Sequence, residues 1–391
     1  MPENPLCPYF ESCGGCTSQH VPYSVQLGNK KDFVINELKK SSISVKSESI
    51  KVISGNPYHY RNRMDFAFFP IGIGLRKKGQ FDQIIPINRC EISNEKLNTL
   101  LKELWEFISS NRNNLDIFDI KKKSGTFRYA LIRSPEFSTS STISFVFNTD
   151  SNKQLDQLEL IKAFAEKSSA ENMVVSRVSS KTDMSYSDDF FTVKGDAHVY
   201  ENLAGKKLFF HSQGFFQNNS AMAEKMILYI KEKMSNYNTK DASLIDLYGG
   251  VGTFGISLAE NFKDCLIIEC VKESIECADM NIKENNITNT KTLCLDASYI
   301  KNAKVRESLK SSRLFLITDP PRSGMHPKTL KFILELKPEV IFYVSCNPKE
   351  LAKDLKKLTE SYNLISLSIF DLFPQTNHME VIAELNLKNI E

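Results

Sequence analysis

The chain has 391 residues, 41% hydrophobic and 25% charged, with a formal net charge of +3. That length exceeds one ordinary domain, the composition excludes wholesale disorder, and near neutrality does not announce a nucleic-acid binder through bulk charge. No apolar run approaches the ~20 residues of a membrane span, and the opening Met-Pro-Glu-Asn-Pro-Leu-Cys lacks a basic start and an apolar signal core, so a cytoplasmic protein without a membrane partner is expected.

The first element, 1–20, carries Cys7, Cys13 and Cys16 in a C-x5-C-x2-C pattern around Gly14 and Gly15. Paired glycines let a loop fold tightly enough for thiolates to converge, and thiolates hold structural zinc or iron–sulfur clusters, usually four at a time. Cys90, in Asn88-Arg89-Cys90-Glu91, is the candidate fourth ligand, and the spacing leaves zinc and iron–sulfur open. The segment 21–48 follows, where Val25, Leu27, Phe33, Val34 and Leu38 predict an amphipathic helix from about Tyr23 to Lys40.

Residues 49–205 read as a β-rich central domain with one or two helices, notably 95–109. Alternating runs such as Met64-Asp65-Phe66-Ala67-Phe68 carry the strand signal, and Ser138-Thr139-Ser140-Ser141 marks a hairpin loop. Clusters at Lys30-Lys31, Lys39-Lys40, Arg61 with Arg63, Arg76-Lys77-Lys78, Lys121-Lys122-Lys123 and Lys206-Lys207 read either as phosphate contacts or as solvated surface.

From 206 to 391 strands and helices alternate, the pattern of a doubly wound α/β domain. A strand over 243–248 runs into Gly249, Gly250 and Gly252 and then a helix, the layout of a nucleotide-binding turn. Glu269 ends the next strand, placed to accept hydrogen bonds from ribose hydroxyls, and Asp296 follows the strand-like run 290–295, placed to meet an adenine. A dinucleotide fold shares this layout; the position of the turn in the C-terminal half and the third acid tilt the reading to S-adenosylmethionine. The runs Leu314-Phe315-Leu316-Ile317-Thr318 and Val340-Ile341-Phe342-Tyr343-Val344-Ser345 are buried strands aiming Asp319 and Cys346 at one site, which suits a cysteine nucleophile with carboxylate helpers.

These motifs resemble the S-adenosylmethionine-dependent RNA uracil-C5 methyltransferases. The resemblance spans Cys7 to Glu384 and includes the cysteine cluster, Tyr60-Arg61-Asn62-Arg63, Gly74-Leu75-Arg76-Lys77, Phe215-Phe216-Gln217-Asn218-Asn219, Asp246-Leu247-Tyr248-Gly249-Gly250-Val251-Gly252, Asp319-Pro320-Pro321-Arg322, Ser345-Cys346-Asn347-Pro348 and the 373–380 block. It implies a class I (Rossmann-like) methyltransferase domain and a β-rich central domain bearing a [4Fe-4S] cluster, with Cys90 as fourth ligand. It implies that 21–48 packs with 206–391 into a discontinuous catalytic domain. It further implies Cys346 as nucleophile, Glu380 as the base, and Gln217, Tyr248, Thr253, Glu269, Asp296 and Asp319 as cofactor-binding residues.

The expected product is 5-methyluridine in RNA, a loop or flipped-out uridine being the target. Many members begin with an OB-like RNA-binding module; this sequence starts at the cluster motif, so the central domain is expected to grip the RNA. The cysteine cluster points to the 23S rRNA branch, with tRNA as the alternative, and no obligate protein partner is implied. Two rival readings are an amino-methyltransferase, which needs no cysteine nucleophile, and a catalytically silent RNA-binding protein.

Overall fold

Helix α1 (Tyr23–Lys40) and the short strand β1 (Lys51–Ile53) precede a long β-rich stretch. The computed structural model describes residues 3–301 and 303–388. Met1 and Pro2, where the signal-peptide reading starts, and residues 389–391, the end of the expected catalytic domain, lie outside them. The chain forms two compact units: Met1–Tyr23, Asn56–Glu201 and His211–Ser220 make the first, and Ser24–Gly55, Asn202–Phe210 and Ala221–Glu391 the second.

The first unit is built on β2 (Arg63–Phe69), β3 (Gly72–Lys77), β4 (Gln80–Pro86), helix α2 (Glu95–Ser110), β5 (Phe127–Arg133), β6 (Thr142–Asn148), helix α3 (Gln154–Ala165), β7 (Asn172–Val178) and β8 (Phe190–Lys194). Its sheet has the order β4-β3-β2-β5-β6-β7-β8, with only β6–β7 parallel. Along β2 burial alternates residue by residue, so Met64, Phe66 and Phe68 share the core face. Phe68 and Phe127 pack at 4.9 Å, and Phe107 of α2 meets Phe164 of α3 at 4.7 Å between ring centroids. Asn94 caps α2 by accepting from the Leu97 amide at 2.9 Å, and Leu97, Leu100, Leu101, Leu104, Phe107 and Ile108 form its buried stripe.

After the hairpin β9 (His198–Leu203) and β10 (Lys206–His211), the second unit continues with α4 (Ser220–Met234), β11 (Ser243–Leu247), α5 (Thr253–Leu258), β12 (Asp264–Glu269), α6 (Lys272–Glu284), β13 (Thr290–Cys294), α7 (Ala303–Ser308), β14 (Leu314–Thr318), α8 (Pro327–Leu336), β15 (Val340–Ser345), α9 (Pro348–Leu358), β16 (Tyr362–Phe370) and β17 (Glu380–Leu387). The sheet order is β1-β16-β17-β15-β14-β11-β12-β13. Strands β11 to β15 are parallel; β17 alone runs antiparallel to its neighbours β15 and β16. Central strands β11, β14 and β15 are buried at every position; β14 and β15 accordingly read as mainly apolar runs, whereas β11 carries the buried Asp246. This is the mixed α/β architecture expected of a methyltransferase domain.

Several boundaries differ from the sequence expectation; one small shift is 202–205, expected in the central domain and found in the second unit. Lys51–Ile53, expected in the central domain, is an edge strand of the second unit, paired with Ser368–Phe370. Residues 211–220, expected in the catalytic domain, belong to the first unit. The reason is polar: Arg133 Nε donates to Ser212 O at 2.6 Å, Asn62 Nδ2 to Gln217 O at 3.1 Å, and the Asn62 amide to Asn218 O at 3.0 Å. Neither a three-residue strand nor a carbonyl-anchored loop leaves a hydrophobic pattern to read.

Candidate active site

Parallel strands present their carboxyl ends on one edge of a sheet, and an antiparallel strand presents its start there. In the second unit that edge carries the turn after β11, Glu269 at the end of β12, Asp319 after β14, Cys346 after β15 and Glu380 at the start of β17. The order reverses at β11 and β14, the switch point where open α/β sheets bind ligands.

The turn after β11 is left-handed at Tyr248 (φ 61°), Gly250 (φ 54°) and Gly252 (φ 85°). Gly249 is a position of close approach: a Cβ there would lie 2.7 Å from Ile267 Cγ2. At Gly252 an added Cβ would meet Ile256 Cδ1 at 2.6 Å as well as an unfavourable φ. Glu269 Oε2 accepts from the Gly250 amide at 3.1 Å, and Oε1 accepts from the Cys270 and Val271 amides at 2.7 and 2.9 Å. Of the roughly four lone-pair directions of a carboxylate, about one remains, on Oε2. Holding both hydroxyls of a ribose therefore requires Glu269 to release an amide, a constraint invisible in the sequence.

The other expected cofactor residues fall as follows. Tyr248 and Thr253 are half-buried at the turn and at the first residue of α5, Tyr248 donating to Thr329 Oγ1 at 3.5 Å. Asp296 is exposed and caps the following turn through the Ser298 amide at 2.7 Å, and hydrogen bonding from the Ser298 side chain and then its amide holds its carboxyl below the usual range. Gln217 belongs to the first unit, half-buried.

Asp246 is a residue the sequence reading left without a role. It is fully buried; Oδ2 accepts from the Gly255 amide at 2.7 Å, whereas Oδ1 has no hydrogen-bond partner. Burial pushes its carboxyl up to about 7, opposed by the Gly255 amide and reinforced by Glu269. A carboxyl raised on folding contributes stability that is complete below about pH 4 and disappears as pH rises through about 7. The ligand-free protein should therefore lose about 2–4 kcal/mol from this group across that window. Differential scanning fluorimetry of the wild type and Asp246→Asn should show the slope of Tm with pH flattened in the variant.

Cys346 and Glu380 are brought together by strand register. Val344 faces Ile382 and Ser345 faces Val381, where the ladder ends, so Cys346 and Glu380 each lie one residue beyond that last pair, and Glu380 is near enough to act on the thiol electrostatically. Burial pushes the Cys346 thiol up to about 11, with Glu380 and then Asp319 adding to it and Arg322 opposing. Burial first, and the carboxylates after it, outweigh the nearby Arg322, and the resting group is a neutral thiol. Glu380 is 6% exposed, and its Oε2 has no hydrogen-bond partner. Burial, and then the Asp319 charge, hold its carboxyl well above the usual range, and Asp319 is raised by burial and by Asp246. A neutral thiol, an unsatisfied high-pKa carboxylate and a second raised acid form a constellation suited to covalent attack followed by proton removal.

In the first unit, Cys7, Cys13, Cys16 and Cys90 line one cavity of about 30 Å3 together with Gln19 and Met64. The Cys7 amide donates to Gln19 Oε1 at 3.1 Å, the Gly14 amide to Arg76 O at 3.1 Å, and Cys90 is pinned through both its amide and its carbonyl by Asn98. Among the described residues, no three His, Cys, Asp or Glu side chains converge as ligands of a single ion.

The basic clusters are corrected in part. Lys30 is no surface cation: it is 4% exposed and pairs with the fully buried Asp371 at 2.5 Å. Arg63 is held by Asp65 at 2.9 Å, and Arg76 by Asp183 at 2.8 Å and Tyr129 OH at 3.1 Å. Lys206 pairs with Glu260, and Lys207 with Glu284 at 3.0 Å. Among the described residues no helix is long and apolar enough to cross a membrane.

Comparison with known proteins agrees with this geometry. The family profile described as tRNA (uracil-5-)-methyltransferase matches residues 22–388. The chain is 31% identical, over 98% of its length and 84% of the relative's, to a protein of Clostridium tetani named an uncharacterized RNA methyltransferase. It is 32% identical, over 97% of its length and 85% of the relative's, to the tRNA (uracil(54)-C(5))-methyltransferase of Pyrococcus abyssi. The crystal structure of a Pyrococcus abyssi tRNA (uracil-54, C5)-methyltransferase in complex with S-adenosyl-L-homocysteine superposes with a TM-score of 0.77 at 28% identity, covering 95% of this chain and 85% of that one. Sheet edge, glycine turn and sequence kinship thus converge, and the chain belongs to the tRNA (uracil-5-)-methyltransferase family of S-adenosylmethionine-dependent RNA methyltransferases.

Proposed function

We propose that this enzyme methylates C5 of a uridine in RNA through a covalent bond between Cys346 Sγ and C6 of the base, giving 5-methyluridine. The observation that carries the reading is the β15–β17 register, which brings Cys346 and Glu380, whose Oε2 has no hydrogen-bond partner, to adjoining positions on the same sheet edge as the glycine turn. Uracil C5 is a weak nucleophile. Once the thiol has lost its proton, addition of Sγ to C6 moves the C5=C6 electron pair onto C5, where it is conjugated with the C4 carbonyl. S-adenosylmethionine supplies the methyl group that C5 takes. The hydrogen left on C5 is then acidic beside that carbonyl. Glu380 removes it, the double bond re-forms and Sγ leaves; Asp319 orients the base beside the thiol.

The residues at the turn fit the nucleoside cofactor. Gly249 and Gly252 pack the turn against Ile267 and Ile256, Gly250 faces open space where a ligand can meet the backbone, and Glu269 retains one free acceptor direction for ribose. Tyr248, Thr253, Asp296 and Gln217 are proposed as its further contacts.

The four cysteines line one cavity, and four thiolates are the ligand number that a [4Fe-4S] cluster takes. Cys7, Cys13, Cys16 and Cys90 would hold a [4Fe-4S] cluster, which here stabilises the first unit, since the reaction transfers no electron. Cys90→Ser should lose the visible absorbance of the purified protein and lower its Tm, with methylation of a short RNA retained once folded.

We further propose that the central domain grips the RNA, with partly exposed cations such as Arg76 and Lys77 exchanging weak surface pairs for phosphates. The cysteine cluster supports 23S rRNA as the substrate; the Pyrococcus abyssi relative named for uracil 54 of tRNA favours tRNA as the second reading. Release of tritium from uracil C5, measured separately on 23S rRNA and tRNA transcripts, decides both questions. Release from one RNA supports the chemistry and names the substrate; methyl incorporation without release overturns C5 as the target.

A further inference from the structure

Glu380 is the first residue of β17 and pairs with Phe370, the last residue of β16. Its direction is therefore set by the connecting loop 371–379. That loop is largely buried and left-handed at Gln375, with φ 64° on a residue other than glycine. Such a loop keeps one shape only if its surroundings over-determine it.

The surroundings are the inner face of α1. Lys30 Nζ donates to Asp371 Oδ1 at 2.5 Å and to Phe373 O at 3.1 Å. One turn earlier, Gln26 Nε2 donates to Gln375 Oε1 at 2.9 Å, and Gln26 Oε1 accepts from the Gln375 amide at 3.2 Å. Residues four apart on a helix share a face, so Gln26 and Lys30 form two prongs on one loop. The Asp371 amide in turn donates to Ile53 O of β1 at 2.9 Å.

The ion pair is 4% and 0% exposed. Desolvating both charges offsets most of their attraction, and an apolar pair of similar size is commonly as stable or more so. Stability alone therefore gives no reason for a Lys and an Asp, 341 positions apart in sequence, to meet here. Direction does: an ion pair joined to a carbonyl and a two-way amide contact fixes the loop's orientation, which apolar packing leaves looser.

We infer that Gln26 and Lys30 of α1 are positioning residues for the catalytic base, clamping the 371–379 loop so that Glu380 meets the C5 hydrogen. The inference rests on the reading of Glu380 as that base. It separates two stages of the reaction. Attack by Cys346 and methyl transfer do not use Glu380 as a base; proton removal, and with it release of Sγ, does. Loosening the clamp should leave the methylated RNA joined to Cys346, and that species survives denaturing electrophoresis.

The test compares wild type with Glu380→Gln, Lys30→Met, Gln26→Ala and the double variant Lys30→Met/Asp371→Leu, in which neither charge is left buried alone. Each is incubated with S-adenosylmethionine and the RNA accepted in the tritium-release assay, and the covalent complex is quantified beside Tm. The expected result is a rise in trapped complex of about tenfold or more in the folded clamp variants, with tritium release reduced by a similar factor. Lys30→Arg should restore turnover in part. Wild-type levels of complex in folded clamp variants, while Glu380→Gln traps it, would overturn the inference alone. No trapping in Glu380→Gln would overturn the reading of the base and the inference with it. Failure of all three clamp variants to fold would make these contacts structural and equally overturn it.

Discussion

Cys346→Ala is expected to lower kcat by at least ~10⁴-fold while leaving cofactor affinity unchanged. The reason is positional. Cys346 leaves β15 at the edge of the sheet, Asn347 caps α9 through the Lys349 amide at 3.2 Å, and Asn347 Nδ2 holds Arg322 O at 2.9 Å. Thiol, P-P-R loop and helix start are thus one rigid corner, and no neighbour can substitute as nucleophile: Ser345 Oγ is engaged with the Asn347 backbone. Cys346 is half-buried, so truncation leaves only a small defect and folding should survive. Cys346→Ser should be nearly as inactive, because a hydroxyl ionises far less readily than a thiol. Burial and the two carboxylates raise the thiol to about 11. In the wild type the thiolate fraction, and with it the rate of adduct formation, therefore climbs with pH throughout the neutral range. Single-turnover formation of the protein–RNA adduct against pH measures this. A rate independent of pH between 6 and 9 would show that RNA binding itself ionises the thiol.

Much of this corner is legible in the sequence because it is local. The runs over Leu314–Thr318 and Val340–Ser345 are apolar up to a final Thr318 and Ser345, and their bounds coincide with β14 and β15. Helix α1 likewise spans Tyr23–Lys40 as expected, but of its expected apolar stripe Val25 and Phe33 are exposed, while Gln26 and Lys30 are buried. What stays hidden depends on distant partners. Lys30 beside Lys31 looks like surface charge until Asp371, far along the chain, is seen beneath it. Asp246 looks like a strand residue with no special burden until the turn closes over it. Glu380 is the intermediate case: resemblance names it, but only the antiparallel insertion of β17 explains how a residue at a strand's start reaches the carboxyl edge of a parallel sheet. The rival amino-methyltransferase reading gives no account of a cysteine beside that carboxylate.

Glu380→Gln should take up one methyl group per enzyme and then stop, with the methylated RNA bound to Cys346 and tritium release slowed by about 10²–10⁴-fold. The amide matches the carboxylate in shape, so attack and methyl transfer proceed; it has no basic lone pair for the C5 proton, so the double bond cannot re-form and the thiol cannot leave. The same substitution makes a second, opposite claim about stability. Glu380 is buried with an unpartnered Oε2, and burial, then Asp319, raise its carboxyl on folding. Such a group helps the fold below about pH 4, where it is protonated in both states, and becomes a liability as pH rises through its folded value. Glu380→Gln should therefore show a higher Tm than wild type at pH 8 and a smaller difference at pH 5. An enzyme that gains stability as it loses turnover marks a carboxylate retained for chemistry at the expense of the fold. Should the variant turn over normally, Asp319, the other raised acid on that edge, becomes the base, and Asp319→Asn should then trap the adduct instead.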